Sequence, residues 1–211
     1  MKNTERTEIR KNEILDQAEK LFLEKGYEQT TINDILQVSG AAKGSLYYHY
    51  KSKADVLDGI IKRRGDENIA RARQIATTPG VDARTKLLQV IFSQQPQDEH
   101  KREITKELER SGDGQMFLKS LTDIQKRLAP VLSEIVEEGI AQKVFTVTYP
   151  LQSVEILLSA AHCLFDNPLA LHDPLEQRQK MLAFITVTEK VLGAQSGSLA
   201  QLAQIYPEQS K

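Results

Sequence analysis

The chain has 211 residues, 40% of them hydrophobic and 27% charged, with a net charge of −1 and a pI near 6.5. That is ordinary for a globular protein with room for one small and one larger domain, and it excludes a strongly basic, non-specific DNA coater. The single cysteine, Cys163, excludes an internal disulfide framework and suits a reducing cytoplasm, and no apolar run is long enough to span a bilayer.

Read in order, the charged opening MKNTERTEIRK looks like a frayed start rather than a targeting segment. The first helix carries Ile14, Ala18, Leu21 and Phe22 at i, i+4, i+7 and i+8, one core-facing stripe closed by Gly26. Thr31 reads as the N-cap of a second helix, with Asp34 as capping-box partner and Ile32, Ile35 and Leu36 as its apolar face. Gly40 ends that helix, because glycine takes the left-handed conformation of a sharp exit at no steric cost. A third helix follows from Ala42 to His49. A fourth starts at Ser52, with Asp55 in the capping-box position, and extends to about Thr77 before Pro79-Gly80 breaks it. A helix, a glycine turn and a second helix make a helix-turn-helix, whose second helix lies in the major groove of DNA. Between Ile35 and Ala54 stand three lysines, Lys43, Lys51 and Lys53, and no acidic residue. Residues 1–64 carry a net +2 and the remainder a net −3, which fits a local basic surface better than a general one.

Beyond Gly80 the pattern stays helical. Segments are predicted at about Asp82–Gln95, Asp98–Arg110 and Gln115–Gln142, the last interrupted or bent at Pro130, which lacks an amide hydrogen. Val144–Pro150 is rich in β-branched residues but isolated, and reads as an extended connector because a lone strand has no partner. Two apolar helices follow at about Leu151–Phe165 and Gln177–Leu192, separated by a loop from Asp166 to Pro174, with a short helix around Leu199–Ile205. No repeat, nucleophile elbow, P-loop or dinucleotide fingerprint is present, and the four histidines lack metal-ligand spacing, so neither an enzyme nor a metal or cofactor site is expected.

The run GAAKGSLYYHYKSKADVL resembles the DNA-binding signature of TetR-type (tetracycline-repressor-like) transcriptional regulators, and RKNEILDQAEKLFLEKGYEQTTINDIL resembles the same family's first helix and helix-turn-helix lead-in. The resemblance covers about the first sixty residues. It implies an all-α protein with a three-helix DNA-binding domain over 1–53 and a larger helical ligand-binding and dimerisation domain over 54–211. The expected function is a cytoplasmic homodimer that represses transcription from a pseudo-palindromic operator and releases it when a small lipophilic ligand binds. A ligand-independent coregulator of the same fold, acting through a protein partner, is the alternative. The chain departs from the family where Leu36 replaces a small residue and Ala41 a branched one, a volume exchange that a core tolerates.

Particular residues follow from these readings. Lys43 and Tyr47 are expected to face bases or adjacent phosphates; Ser45, Tyr48, Lys51 and Lys53 to bind phosphates; and His49 to reach either. Gly44 lacks a side chain where a backbone must approach another surface, and Thr31 should hold a phosphate at its helix N-terminus. Leu46 and Tyr50, four apart, should be core. The last two long helices are apolar on most sides, which suits either central core helices or a two-fold interface made by four helices; the resemblance implies the second, with Val154, Leu157, Leu158, Ala161, Met181, Phe184 and Ile185 at the interface. Phe92, Met116, Phe117, Leu121, Ile124, Tyr149, His162 and Phe165 supply the mixture of aromatic, aliphatic and polar groups that a small-molecule pocket contains.

Overall fold

The computed structural model describes residues 3–95, 114–165 and 173–207, with side chains placed over 7–95, 122–165 and 173–207. Among the described residues the protein is helical and contains no strand. The α-helices are α1 (Asn3–Lys25), α2 (Ile32–Ser39), α3 (Lys43–His49), α4 (Lys53–Ala76), α5 (Ala83–Gln94), α6 (Gly114–Ala141), α7 (Pro150–Phe165) and α8 (Pro174–Leu192), followed by a 3-10 turn, η1 (Ala200–Ile205). The predicted helix Asp98–Arg110 lies outside the described residues. None of the helices described is long and apolar enough to cross a membrane.

The chain divides into two compact units, the first of which runs to Asp66 and, among the described residues, also takes in 114–120. Val56, Leu57 and Ile60 at the start of α4 are fully buried with Ile14, Leu15, Ala18, Ile35 and Leu46. Leu15 is fully buried in the same core, and Leu21, half-buried, packs against it. Ala41 is buried and Leu36 packs against the same cluster, so the exchanged volumes meet within one core. Gly59 lets α4 lie against Tyr50: a Cβ there would sit 2.9 Å from the tyrosine Cε1 and 3.1 Å from Leu15 Cδ2. Two arginines of α4 bind α1. Arg63 donates to Asp16 at 2.7 Å and to Glu19 at 2.9 Å, and Arg64 donates to the other Glu19 oxygen.

The second unit holds residues 67–95 and those from Leu121 onward. Its core joins Leu87 and Val90 of α5, Leu128, Val131, Ile135 and Val136 of α6, Phe145, Val154 of α7, Met181, Ile185 and Leu192 of α8, and Leu199 and Leu202 beyond. Helix α6 runs through Pro130 without interruption. At its far end Gly139 leaves room for the buried Phe145 ring; a Cβ there would lie 2.1 Å from Phe145 Cδ2. The connector after it is irregular, as expected, and the Thr146 N–H donates to the Leu192 carbonyl at 2.8 Å. Buried Lys86 reaches both Glu138 oxygens, at 2.7 and 3.0 Å, pairing α5 with α6. Helix α8 begins at Pro174, three residues earlier than predicted, because Asp173 accepts the Leu175 N–H as N-cap and proline suits the first helical position.

Candidate nucleic-acid interface

The helix-turn-helix is α2, the turn Gly40–Ala42 and α3. The capping box of α2 is complete: the Asp34 N–H donates to Thr31 Oγ1 at 3.1 Å, and the Thr31 N–H donates to Asp34 Oδ2 at 2.8 Å. Lys25 Nζ donates to the same carboxylate at 2.7 Å. The Lys25 bond, then those from Thr31, hold the Asp34 carboxyl at a pKa of about 2. This charge already occupies the N-terminus where Thr31 was expected to hold a phosphate.

Gly40 takes φ +57° at the C-cap, as the sequence predicts. Arg10 of α1 donates from Nη2 to the Gly40 carbonyl at 2.8 Å. Helix α3 then starts at an Ala42 N-cap that offers no side-chain hydrogen bond. Leu46 and Tyr50 fasten it from below, both buried as the four-residue spacing implies. Burial pushes the Tyr50 phenol up to about 12.

The outer side of α3 presents Lys43, Gly44 and Tyr48, the last 80% exposed. Ser45 and His49 are half-buried, and the His49 ring meets the edge of Tyr48 at 5.0 Å. Tyr47 is half-buried against the core, which makes Tyr48 the more accessible aromatic. A Cβ at Gly44 would meet nothing within 4 Å, so this glycine is not required by the packing of the protein itself. Lys51 is exposed, its N–H bound to Asp55. Lys53, expected at a phosphate, is engaged within the protein. Its Nζ donates to the Tyr27 carbonyl at 2.7 Å and the Glu28 carbonyl at 3.4 Å, and stands 4.1 Å from the Tyr27 ring centroid. Its charge secures the loop before α2. Sequence reasoning missed these supporting roles of Arg10, Lys25 and Lys53, whose partners lie 9 to 30 residues away.

In the C-terminal unit, Val154, Leu157, Met181 and Ile185 are buried in the unit's own core, while Leu158, Ala161 and Phe184 are half-buried. The first four therefore pack within one chain, and the other three keep part of their surface outside it. The apolar side chains turned outward on α7 and α8 are Ile156 (66% exposed), Leu175 (65%), Leu182 (44%) and Val187 (51%). Of the expected pocket residues, Tyr149 is 68% exposed and does not line an interior. Phe92 and Phe165 pack against the core, with Phe165 edge-on to Phe184 at 5.7 Å, and Ile124 and His162 are half-buried. The side chains of Met116, Phe117 and Leu121 lie outside the described residues.

Two short helices joined by a glycine turn, the second presenting a lysine and a tyrosine to solvent, define the class as a helix-turn-helix protein. Residues 14–60 match the family described as bacterial regulatory proteins, tetR family, and residues 98–187 match its tetracyclin repressor-like C-terminal domain. The chain belongs to the tetR family. It is similar to the HTH-type transcriptional repressor KstR2 of Rhodococcus jostii (strain RHA1), 38% identical over 78 residues, which are 37% of this chain and 38% of that protein. The chain thus spans well under half the length of the curated relatives it matches. Among solved structures, Salmonella enterica GusR shares the fold with a TM-score of 0.62 at 18% identity, over 88% of this chain and 96% of that one. The SmeT–triclosan complex does so with 0.61 at 19%, over 90% and 94%.

Proposed function

We propose that this protein is a dimeric repressor of transcription that reads a pseudo-palindromic operator in bacterial DNA. The observation that carries the reading is α3: short, pinned by Leu46 and Tyr50, and presenting Lys43, Gly44 and Tyr48 to solvent with no acidic side chain from Leu36 to Ala54. Lys43 is the long donor beside the start of the helix and suits a guanine edge or an adjacent phosphate; Tyr48 and Lys51 suit phosphates. Two such helices about 34–36 Å apart, one turn of B-DNA, would engage successive major grooves. The outward Ile156, Leu175, Leu182 and Val187 supply apolar surface for the two-fold contact. The repressor KstR2 supports the regulatory role over the aligned residues.

Release by a small lipophilic ligand completes the proposal. It is supported by a relative of the same fold, SmeT, solved with triclosan, and by the half-buried Phe92, Phe165 and Ile124 of the C-terminal unit. A ligand acts only through differential affinity for two arrangements of the protein. Helix α4, whose residues belong to both units, is a continuous element through which that difference would pass. The test is a gel shift with DNA from upstream of its own reading frame, run from 50 to 200 mM salt. Specific, salt-sensitive retardation is expected; no retention of any fragment would end the proposal.

A further inference from the structure

Arg10 stands on α1, thirty residues before the turn it touches. Its Nη2 donates to the Gly40 carbonyl at 2.8 Å and its Nη1 to Glu13 Oε2 at 2.7 Å. The guanidinium is therefore held between a carboxylate on its own helix and the carbonyl at the left-handed residue of the turn. Fork geometry of this kind fixes direction as well as distance. The turn needs such fixing. Gly40 carries the widest conformational freedom of any residue, and a Cβ there would meet nothing within 4 Å. Two residues later Ala42 begins α3 without a side-chain cap. Without Arg10, the angle at which α3 leaves the turn rests on the packing of Ala41, Leu46 and Tyr50 and on a long bond from the Ala41 N–H to Ser39 Oγ at 3.4 Å.

We propose that Arg10 is a positioning residue for DNA reading: it fixes the Gly40 carbonyl, and through it the orientation of α3, rather than binding a phosphate itself. The proposal rests on α3 being the reading helix. Two of the guanidinium's donor arms are already engaged, and the Glu13 carboxylate beside it offsets its charge toward an approaching phosphate. A direct phosphate ligand and a positioning residue differ in their salt dependence, because only the former releases counterions on binding.

The experiment uses the full chain, the variants Arg10→Ala and Arg10→Lys, a duplex selected from a random pool by the parent protein, and an unrelated duplex of equal length. Arg10→Ala should bind the selected duplex about tenfold more weakly, with an unchanged slope of log affinity against log salt. Affinity for the unrelated duplex should change less than about twofold, and Arg10→Lys, which still carries a donor, should recover part of the loss. A parallel loss on both duplexes, with the slope smaller by about 0.9, would identify a phosphate ligand and overturn the proposal. A second measurement needs no DNA. The Ser45 and Leu46 amides donate to the Ala42 carbonyl at 2.8 and 3.1 Å, and their hydrogen exchange should quicken in Arg10→Ala. Unchanged exchange would refute the clamp, whereas failure of the parent to select any duplex would refute the DNA-reading assignment instead.

Discussion

Replacing Leu182 by glutamate separates the proposed interface from the core beside it. Leu182 is 44% exposed on α8, whereas Ile185, three residues on, is 5% exposed and belongs to the core of the C-terminal unit. Full burial of a Leu, Ile or Val side chain contributes about 1.5–3 kcal/mol, so covering the exposed half of each contributes about 1 kcal/mol. Leu175 and Leu182, seven apart on one face of α8, give about 4 kcal/mol over two chains before the cost of association. Leu182→Glu removes about 2 kcal/mol of that across the two chains, about a 30-fold weaker dimer, and adds two carboxylates to an apolar contact. The isolated chain loses almost nothing, because the glutamate stays in water. Ile185→Glu instead buries a charge and should unfold the unit, at a cost of several kcal/mol. Sedimentation equilibrium at micromolar concentration, paired with thermal melts by circular dichroism, distinguishes the two. The expected result is a folded, monomeric Leu182→Glu protein that no longer binds operator tightly. A parent protein that sediments as a monomer, or a Leu182→Glu variant as dimeric as its parent, would refute the reasoning.

Gly44→Ala should stabilise the free protein by about 0.5–1 kcal/mol through helix propensity, since a Cβ there meets nothing, yet weaken operator binding by about 1–3 kcal/mol where the backbone nears the groove. Urea titration and fluorescence anisotropy read the two effects, and parallel changes would show that the glycine has no part in DNA approach. Gly139→Ala drives a methyl to 2.1 Å from Phe145 Cδ2, so it should destabilise the C-terminal unit by about 1–3 kcal/mol in a denaturant titration; an unchanged midpoint would mean that Phe145 moves freely. The Asp34 carboxyl, held at a pKa of about 2 against an ordinary 3.8, contributes stability that is present above about pH 4 and lost as the pH falls toward 2. The stability difference between the parent and Asp34→Asn should therefore shrink across that window in acid titrations followed by circular dichroism, and a difference independent of pH would exclude the ionised cap.

The local chemistry was largely legible in the sequence because its partners are local. Thr31 with Asp34, Gly40 after α2, and Leu46 with Tyr50 are all set by spacings of a few residues, and each stands in the structure where its spacing puts it. What the pattern could not say is which side of an all-round apolar helix meets its own core. On α7 and α8 apolar residues occur on several faces; Val154, Leu157, Met181 and Ile185 took the inner one because α5, α6 and η1 complete that core, leaving Ile156 and Leu182 outside. Lys53 shows a second kind of limit. Its acceptors are backbone carbonyls more than twenty residues away, and a carbonyl has no signature in the sequence. The unit boundary was hidden for a simpler reason: α4 crosses it as one continuous helix that carries Gly65 and Asp66 within it without a turn.

Glu189 sets a limit on how the chain can be shortened. Its side chain, almost wholly inside the C-terminal unit, accepts the Gly197 N–H at 2.9 Å and the Leu199 N–H at 2.8 Å. These donors are main-chain groups, so substitutions in the segment after α8 leave the fastening intact provided the backbone path is kept. Deletion is another matter. A protein truncated after Gln195 would lose both donors, uncover the Glu189 carboxylate, and remove Leu199 and Leu202 from the core at one stroke. The residues beyond α8 thus act as the last course of the C-terminal unit, and a minimal fragment designed to end at Gly193 would be a poor reagent for studying either ligand or partner.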